Sequence, residues 1–223
     1  MLFKFLRGEG QNRLDSIEAR VQTMLGHDRR EFELAMSALL GEIAAADVNQ
    51  ELRAMDQKVN RLEREIRREL VVHASVFGGI QSPAVLVYMS VVKDIERIGD
   101  YAKNLLDLAL DGADLSKAPD ADEWRTLSAE LTGYITAAGE AFRVRDAEQS
   151  RALRVRGDEL LDHFDDGVSA LIRAADPGPQ AVARALSHRY LKRVVAHLMN
   201  LLSAVIMPLD RLDYFDEDPE DRV

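Results

Sequence analysis

The spacing of hydrophobic residues along this chain is that of amphipathic helices, with recurrences every three or four positions. The first such run consists of Leu14, Ile17, Val21, Met24, Leu25, Phe32, Met36, Leu39, Leu40 and Ile43. It predicts one helix of roughly 30 residues, from about Gln11 to Ala45, which would be on the order of 45 Å long.

Two further helices are predicted in the first half of the chain. Asp47 and Asn49 are suitable N-caps for the second helix, which the Gly78-Gly79 pair would end. Ser82-Pro83 then provides a cap followed by proline at the first helical position, where a missing N–H is tolerated. The third helix is expected to end near Gly112.

The second half repeats this organisation after a linker that contains aspartate and proline. Three more helical segments follow at about 123–145, 147–174 and 180–212, and an Asp-Pro-Gly-Pro stretch separates the last two. The sequence therefore predicts four parts: a first three-helix bundle (1–112), the linker (113–122), a second three-helix bundle (123–213) and an acidic tail (214–223).

An internal duplication is indicated by polar residues at matching positions of the two halves. In the second and fifth predicted helices, such residues recur at spacings of four and three: Asp56, Asn60 and Glu63 in one, Asp158, Asp162 and Asp165 in the other. In the third and sixth, an arginine precedes an asparagine by seven residues: Arg97 and Asn104 in one, Arg193 and Asn200 in the other. Long antiparallel helices with short loops pack as bundles. The predicted fold class is therefore all-α, with two tandem three-helix bundles built from six long helices.

Composition and charge limit the classes of partner. Hydrophobic residues make up 47 % of the 223 residues, enough for a packed core, and the formal net charge is −10. A chain this acidic is repelled by nucleic-acid phosphates, so we expect no nucleic-acid partner. No segment approaches the ~20 consecutive apolar residues of a membrane span, and there is no cysteine. The sequence therefore predicts a cytoplasmic protein.

The stretch with the most chemical content runs from Asp94 to Asn104. Glu96 and Asp100 are four residues apart, so their carboxylates lie one turn apart on the same helix face. Like charges at this spacing repel by roughly 0.2–0.5 kcal/mol unless a metal ion or a basic side chain compensates them. Gly99 inside a helix costs on the order of 1 kcal/mol relative to alanine, which indicates that a neighbouring helix or a bound group approaches the backbone closely there.

This stretch resembles the signature helix of the PhoU family, in which Leu-Glu-Arg-Ile-Gly-Asp is followed after a short gap by asparagine. Residues 95–100 and Asn104 match that signature. The family's Asp-x-x-x-Asp pattern in the preceding helix has its counterpart in Asp56 and Asn60. With the length, the duplication and the helical pattern, the resemblance extends over nearly the whole chain.

The resemblance implies a regulatory adaptor. Members of the PhoU family are negative regulators of phosphate uptake and phosphate-starvation signalling, they contact a phosphate transporter component and a sensor histidine kinase, and they are often dimeric. By this resemblance the chain acts through protein–protein contacts, forms a homodimer, and associates with a membrane at most peripherally, through a partner.

The resemblance also implies a metal-binding surface formed by the acidic motifs of neighbouring helices. Carried over to the matching positions, the candidate metal ligands are Glu96 and Asp100, with Asp56 and Asn60 opposite them. Oxygen ligands suit cations such as Mg²⁺, Mn²⁺ or iron, and Zn²⁺ is a further candidate. The second repeat departs from this pattern. When the asparagines of the two repeats are aligned, Lys192 corresponds to Glu96 and an alanine to Asp100, so we expect the second metal cluster to be absent or weak.

On spacing alone, the acidic pair of the third helix has another interpretation. Its carboxylates would lie on a solvated face and form ion pairs with Lys93, Arg97 or Lys103. Two Glu-x-x-x-His pairs, at positions 69/73 and 159/163, have a spacing of four, whereas di-iron bundles use Glu-x-x-His, so we expect structural or surface roles for them.

No catalytic residue is assigned, and the sequence predicts that the protein is not an enzyme. It contains no cysteine, no Gly-x-Ser-x-Gly, no glycine-rich phosphate loop and no His-Glu-x-x-His. Two alternatives to the adaptor remain open. One is a helical protein that handles iron or manganese through the same carboxylates, and the other is a metal-free helical scaffold that regulates another phosphate or anion transporter.

Overall fold

The computed structural model describes residues 2–77 and 82–212, and the side chains of residues 13–76 and 83–212. Within these ranges the chain forms six long helices and no strand, which confirms the predicted all-α fold class. The helices are α1 (Leu2–Leu39), α2 (Ala45–Phe77), α3 (Ser82–Leu110), α4 (Ala121–Val144), α5 (Ala147–Arg173) and α6 (Ala181–Ile206), with short 3-10 turns at Leu115–Lys117 and Leu209–Arg211.

Several predicted helix limits are wrong. α1 begins at Leu2 instead of about Gln11, and α2 begins at Ala45, so Asp47 and Asn49 lie inside it and do not cap it. α1 ends at Leu39 instead of Ala45, because Gly41 adopts a left-handed conformation (φ +70°) and turns the chain. The predicted sixth helix, to residue 212, ends at Ile206, since Met207 is extended ahead of Pro208. The predicted glycine break at 78–79 and the acidic tail at 214–223 lie outside the described residues.

The helices of each half pack mainly against one another, and the halves also share an interface. α1, α2 and α3 contact each other, as do α4, α5 and α6, while α3 packs on α6 and α1 on α4. The buried apolar side chains form one continuous core across both halves, which includes Phe32, Ile95, Phe142 and Phe164. Trp124 lies in this core, only 1 % exposed. Because the core is continuous, the division at residues 112 and 123 stays a prediction.

Polar contacts also join the two halves. Asp94 of α3 accepts hydrogen bonds from Asn200 Nδ2 (3.0 Å) and pairs with His197 Nδ1 (2.9 Å), both on α6. At the other side of α3, the Tyr88 hydroxyl donates to Glu18 of α1, and Arg145 from the α4–α5 turn donates to that same carboxylate at 2.8 Å. α3 is therefore held between the two halves, and its orientation depends on both.

Over the described ranges, none of the helices combines the length and the apolar content that a membrane crossing would need.

Candidate functional site

Three helices of the first half bring five carboxylates together, and we call this group the carboxylate cluster. Its members are Asp28 and Glu31 of α1, Asp56 of α2, and Glu96 and Asp100 of α3. The charges of the other four all act on Asp28, which lies at the centre of the group. Three of the four residues expected from the sequence as ligands, Glu96, Asp100 and Asp56, are therefore brought together by the fold.

Asp28 and Glu31 are the two members that form no ion pair with a described side chain. Both are 0 % exposed, and no hydrogen-bond partner for their carboxylate oxygens lies within the described part of the chain. Burial, reinforced by the charges of Glu31 and Glu96, holds the pKa of Asp28 well above its ordinary value. Burial, then the charge of Asp56, raises the pKa of Glu31 to about 8. Two unpaired carboxyls buried this deeply are costly as free anions, so each must be protonated or compensated by a cation.

The other members of the cluster have basic partners. Lys103 Nζ lies between α2 and α3, 2.7 Å from Asp56 Oδ1 and 2.9 Å from Asp100 Oδ1. Glu96 pairs with Lys93, and Asp100 also pairs with Arg97 at 3.2 Å. The ion pairs that the sequence offered as an alternative to metal binding are therefore present.

Asn60, the fourth predicted ligand, also lies at the cluster, where its Nδ2 donates to Asp56 Oδ2 at 3.1 Å. Its amide oxygen is the atom that could contribute to a metal, because the nitrogen is a donor. In the described part of the chain, no three His, Asp or Glu side chains converge closely enough to enclose a cation as they stand. The Lys103 ammonium lies where the α2 and α3 carboxylates converge.

Gly99 allows α3 to approach the buried acids of α1. A Cβ at this position would lie 2.9 Å from Asp28 Oδ1 and 3.3 Å from Glu31 Oε2, distances shorter than an ordinary carbon–oxygen contact. The sequence predicted a close approach of a helix or a bound group here, and the structure shows that the neighbour is the pair of α1 carboxylates. The hydrogen of Gly99 leaves the space that these acids occupy.

Asp28 and Glu31 were missed at the sequence level, although the chain contained a signal for them. Both lie in the hydrophobic repeat of α1, where Met24, Phe32 and Ala35 flank them on the buried face. An acidic residue on the buried stripe of an amphipathic helix is unusual. Two of them, three residues apart, indicate a site on that face.

Among the described residues of the second half, two of the acids that match those of α2 pair with basic side chains. Lys192 of α6 pairs with Asp165 of α5, and Arg189 approaches the same carboxylate at 3.4 Å. Asp158 pairs with Arg154 at 2.8 Å on its own helix. The ammonium of Lys192 therefore neutralises Asp165, which corresponds to Glu63 when the two repeats are aligned.

Three residues of the two Glu-x-x-x-His pairs, and the buried His188, have described neighbours outside the carboxylate cluster. In the 69/73 and 159/163 pairs the glutamates form ion pairs with arginines, Glu69 with Arg20 and Glu159 with Arg156. His163 instead lies 3.3 Å from Glu123 of α4. His188 is buried against Trp124, and burial lowers its pKa to about 4, so its ring is neutral near pH 7. The structural or surface roles expected for the two Glu-x-x-x-His pairs stay a prediction.

The donor set of the carboxylate cluster fits a hard, oxygen-liganded cation. Its buried acids Asp28 and Glu31 carry carboxylate oxygens with no described partner, and Gly99 leaves them room. Mg²⁺, Mn²⁺ and iron take such ligands. A metal ion bound here would compensate the carboxylates that form no described hydrogen bond with Lys103.

Comparison with known proteins connects this arrangement to one family. The family described as "PhoU domain" matches residues 21–109, a stretch that contains the whole carboxylate cluster. A curated relative from Pseudomonas aeruginosa, described as a phosphate-specific transport system accessory protein PhoU homolog, is 24 % identical over 201 residues, which covers 86 % of this chain and 82 % of the relative.

Solved structures show the same fold. The crystal structure of PhoU from Pseudomonas aeruginosa superposes with a TM-score of 0.79 at 22 % identity, and the match covers 90 % of this chain and 98 % of that one. The phosphate transport system regulatory protein PhoU from Streptococcus pneumoniae superposes with a TM-score of 0.70 at 15 % identity, over 88 % and 94 % of the two chains. The six-helix arrangement is therefore one that this group of proteins shares.

Proposed function

Because this chain contains a PhoU domain and belongs to the PhoU family, we propose that it is an adaptor that restrains phosphate uptake and phosphate-starvation signalling. It acts through protein–protein contacts with a phosphate transporter component and with a sensor histidine kinase. The observation that carries the proposal is the PhoU domain at residues 21–109, in a chain whose relative is named as an accessory protein of phosphate-specific transport. The role is non-catalytic.

Phosphate uptake in the native host tests this role directly. We expect cells that lack the chain to take up radiolabelled phosphate faster than wild-type cells in phosphate-rich medium, because a restraint on the transporter is lost. Expression of the full chain should restore the wild-type rate. Unchanged uptake together with unchanged expression of the phosphate-starvation genes would rule out the adaptor role.

The proposal extends to the location and assembly of the protein. It places the chain in the cytoplasm, as a homodimer that reaches the membrane through its partner. Light scattering on the purified protein measures the dimer, and co-purification with detergent-solubilised transporter measures the membrane contact. A monomer at micromolar concentration would contradict the dimer but leave the contact with the transporter standing.

The proposal also includes a divalent or ferric cation at the carboxylate cluster. The residues that would hold it are Asp28 and Glu31 of α1, Asp56 and Asn60 of α2, and Glu96 and Asp100 of α3. The cation would supply positive charge to acids from three helices, so its binding would be coupled to the relative positions of those helices. Support comes from the two buried carboxyls without a described partner.

Elemental analysis of the purified protein is the first test of that cation. We expect the wild-type protein to retain metal and the Glu96→Ala/Asp100→Ala variant to lose it, because the variant removes both α3 ligands. The matched control is Asp122→Ala/Glu140→Ala, which removes two exposed carboxylates from α4 and should retain the wild-type metal content. Equal melting temperatures for metal-loaded and metal-free protein would contradict the coupling to helix position.

The two alternative functions make different predictions for these experiments. A protein that handles iron would oxidise Fe²⁺ with oxygen in repeated turnovers, and the Glu96→Ala/Asp100→Ala variant would lose that activity. A metal-free scaffold would contain no metal, and the same variant would bind its partner as the wild-type protein does. The adaptor proposal expects no iron turnover and a weaker partner contact in the variant.

A further inference from the structure

Lys103 forms ion pairs with acids of two different helices, which none of the other paired lysines in the described ranges does. Its side chain is only 19 % exposed, and its ammonium joins acids of two helices, Asp56 of α2 and Asp100 of α3. Lys117, by comparison, is 72 % exposed and pairs with Asp114, three residues away on the same 3-10 turn. An ammonium that joins two helices at partial burial holds their separation, whereas an exposed local pair contributes little.

We propose that the Lys103 ammonium is the internal cation of the carboxylate cluster, and that a metal ion must displace it to reach Asp56 and Asp100. Lys103 therefore sets the affinity of the cluster for metal. This inference rests on the metal site in the proposed function and concerns the regulation of that site.

The charges of the cluster favour such an exchange. One ammonium supplies one positive charge and hydrogen-bonds to two of the five carboxylates, while Asp28 and Glu31 keep oxygens without a described partner. A divalent ion supplies twice the charge and takes six or more oxygen ligands when it is large enough. The metal therefore gains from Asp28 and Glu31, with which the lysine forms no described hydrogen bond, and loses the energy needed to move the lysine away.

An open groove beside Lys103 can accommodate its ammonium once a metal ion has displaced it. The side chain borders an open groove that Arg53, Tyr101, Asn104 and Asp107 also line. Asp107 pairs with Arg53 in that groove and could accept a second basic partner. Because a lysine has a long flexible stem, it can leave the Asp56–Asp100 gap without a shift of α3.

The second half contains a similar lysine–aspartate pair between its last two helices, but its described residues include no buried acid pair like Asp28 and Glu31. There Lys192 of α6 pairs with Asp165 of α5 and is 17 % exposed, so in each half a lysine of the last helix neutralises an aspartate of the helix before it. In the second half the lysine is accompanied by no buried, unpartnered carboxylate pair on the described part of α4. Removal of Lys192 should therefore create no metal site, which makes it a matched control.

Titration of the metal-free full chain with Mn²⁺ alone tests the inference. We expect Lys103→Met to bind Mn²⁺ at least about tenfold more tightly than the wild-type protein, at one cluster per chain. Lys192→Met should bind as the wild type does, and Lys103→Arg, which keeps the charge, should bind no more tightly than the wild type. Equal affinity in Lys103→Met and wild type, or binding by neither, would overturn the inference.

Thermal unfolding supplies a second readout that does not require the wild type to bind metal. Without metal, Lys103→Met should melt below the wild type, because Asp56 loses its basic partner and Asp100 keeps only Arg97. Mn²⁺ should raise the melting temperature of Lys103→Met by more than it raises that of the wild type. If the methionine variant folds poorly, Lys103→Gln removes the same charge and keeps a hydrogen-bonding group.

The outcomes separate this inference from the proposed function. Metal that is lost in Glu96→Ala/Asp100→Ala but is bound equally by Lys103→Met and wild type would keep the metal site and discard the role of Lys103. A gain of Mn²⁺ affinity in Lys103→Met with no effect of the chain on phosphate uptake would keep the role of Lys103 and discard the adaptor.

Discussion

In metal-free protein, Glu31→Gln is expected to raise the free energy of unfolding at pH 8 by on the order of 3 kcal/mol and to change it little below pH 4.5. The reason is burial. Glu31 is 0 % exposed with no described hydrogen-bond partner, and burial followed by the charge of Asp56 raises its pKa from 4.5 to about 8. Glutamine has nearly the same shape and carries no charge at any pH.

The sign follows from proton linkage. Between pH 4.5 and 8 the folded protein keeps the proton of Glu31 while the unfolded chain has released it, so unfolding releases a proton. Stability contributed by this group is therefore highest at low pH and falls as the pH rises through that window. The raised pKa of Asp28 acts in the same direction, since burial and the charge of Glu31 also keep that group protonated.

Urea denaturation in the presence of a chelator, at several pH values from 4 to 9, measures the effect. The matched control is Glu33→Gln, two residues away on α1, where the carboxylate pairs with Arg29. An ion pair of this kind contributes about 0–1 kcal/mol, so this control should be nearly flat with pH. A Glu31→Gln variant that is no more stable than wild type at pH 8 would show that Glu31 is compensated in the folded protein.

All six helices could be predicted from the sequence, because the features that specify a helix, hydrophobic spacing and capping residues, are local. Hydrophobic spacing and the Ser82-Pro83 start predicted all six elements, and the signature at residues 95–100 predicted which face of α3 carries acids. The end of α1 was not accessible, because Ile43 continued the hydrophobic spacing beyond the turn at Gly41. A single glycine with positive φ ended the helix where periodicity alone would have extended it.

The site could be predicted only in part from the sequence, because its electrostatics depend on how the helices pack against one another. Glu96, Asp100 and Asp56 followed from spacing and family resemblance. The contribution of α1 did not, because hydrophobic periodicity counts the apolar positions and passes over an acid such as Asp28 that occupies one of them. The position of Lys103 between two helices depends on their relative rotation, which no local pattern specifies.

The contact between Asp94 and His197 was similarly inaccessible. The two residues are 103 positions apart and lie in different halves. Within α6, no acidic residue lies three or four positions from His197. In the structure its ring stacks on Tyr101 and its Nδ1 pairs with Asp94, and this places a polar group at the α3–α6 interface.

That interface carries the second large prediction: Asp94→Ala should lower the free energy of unfolding by on the order of 3 kcal/mol. Asp94 is 8 % exposed and is the described hydrogen-bond partner of His197 Nδ1 and Asn200 Nδ2. Its removal leaves two buried donors without a partner, and water has little access to them. The cost is the desolvation of those groups and not merely the loss of one contact.

The variant should also uncouple the two halves. α3 and α6 pack directly on each other, and the Asp94 network is a polar contact at that interface. Urea denaturation followed by far-UV circular dichroism measures both effects, and we expect a lower midpoint and a broader or two-step transition. Asp122→Ala, at a fully exposed carboxylate of α4, is the control and should stay within about 0.5 kcal/mol of wild type.

A double-mutant cycle with His197→Phe tests whether the stability lost in Asp94→Ala comes from the contact between Asp94 and His197. If the loss comes from the unpaired imidazole, Asp94→Ala/His197→Phe should be more stable than the sum of the single variants predicts, by about 1 kcal/mol or more. Strict additivity would mean that Asp94 and His197 contribute independently and that the interface rests on apolar packing alone. A non-additive result would show that the polar contact itself joins α3 to the second half, at a point two residues before Glu96 of the carboxylate cluster.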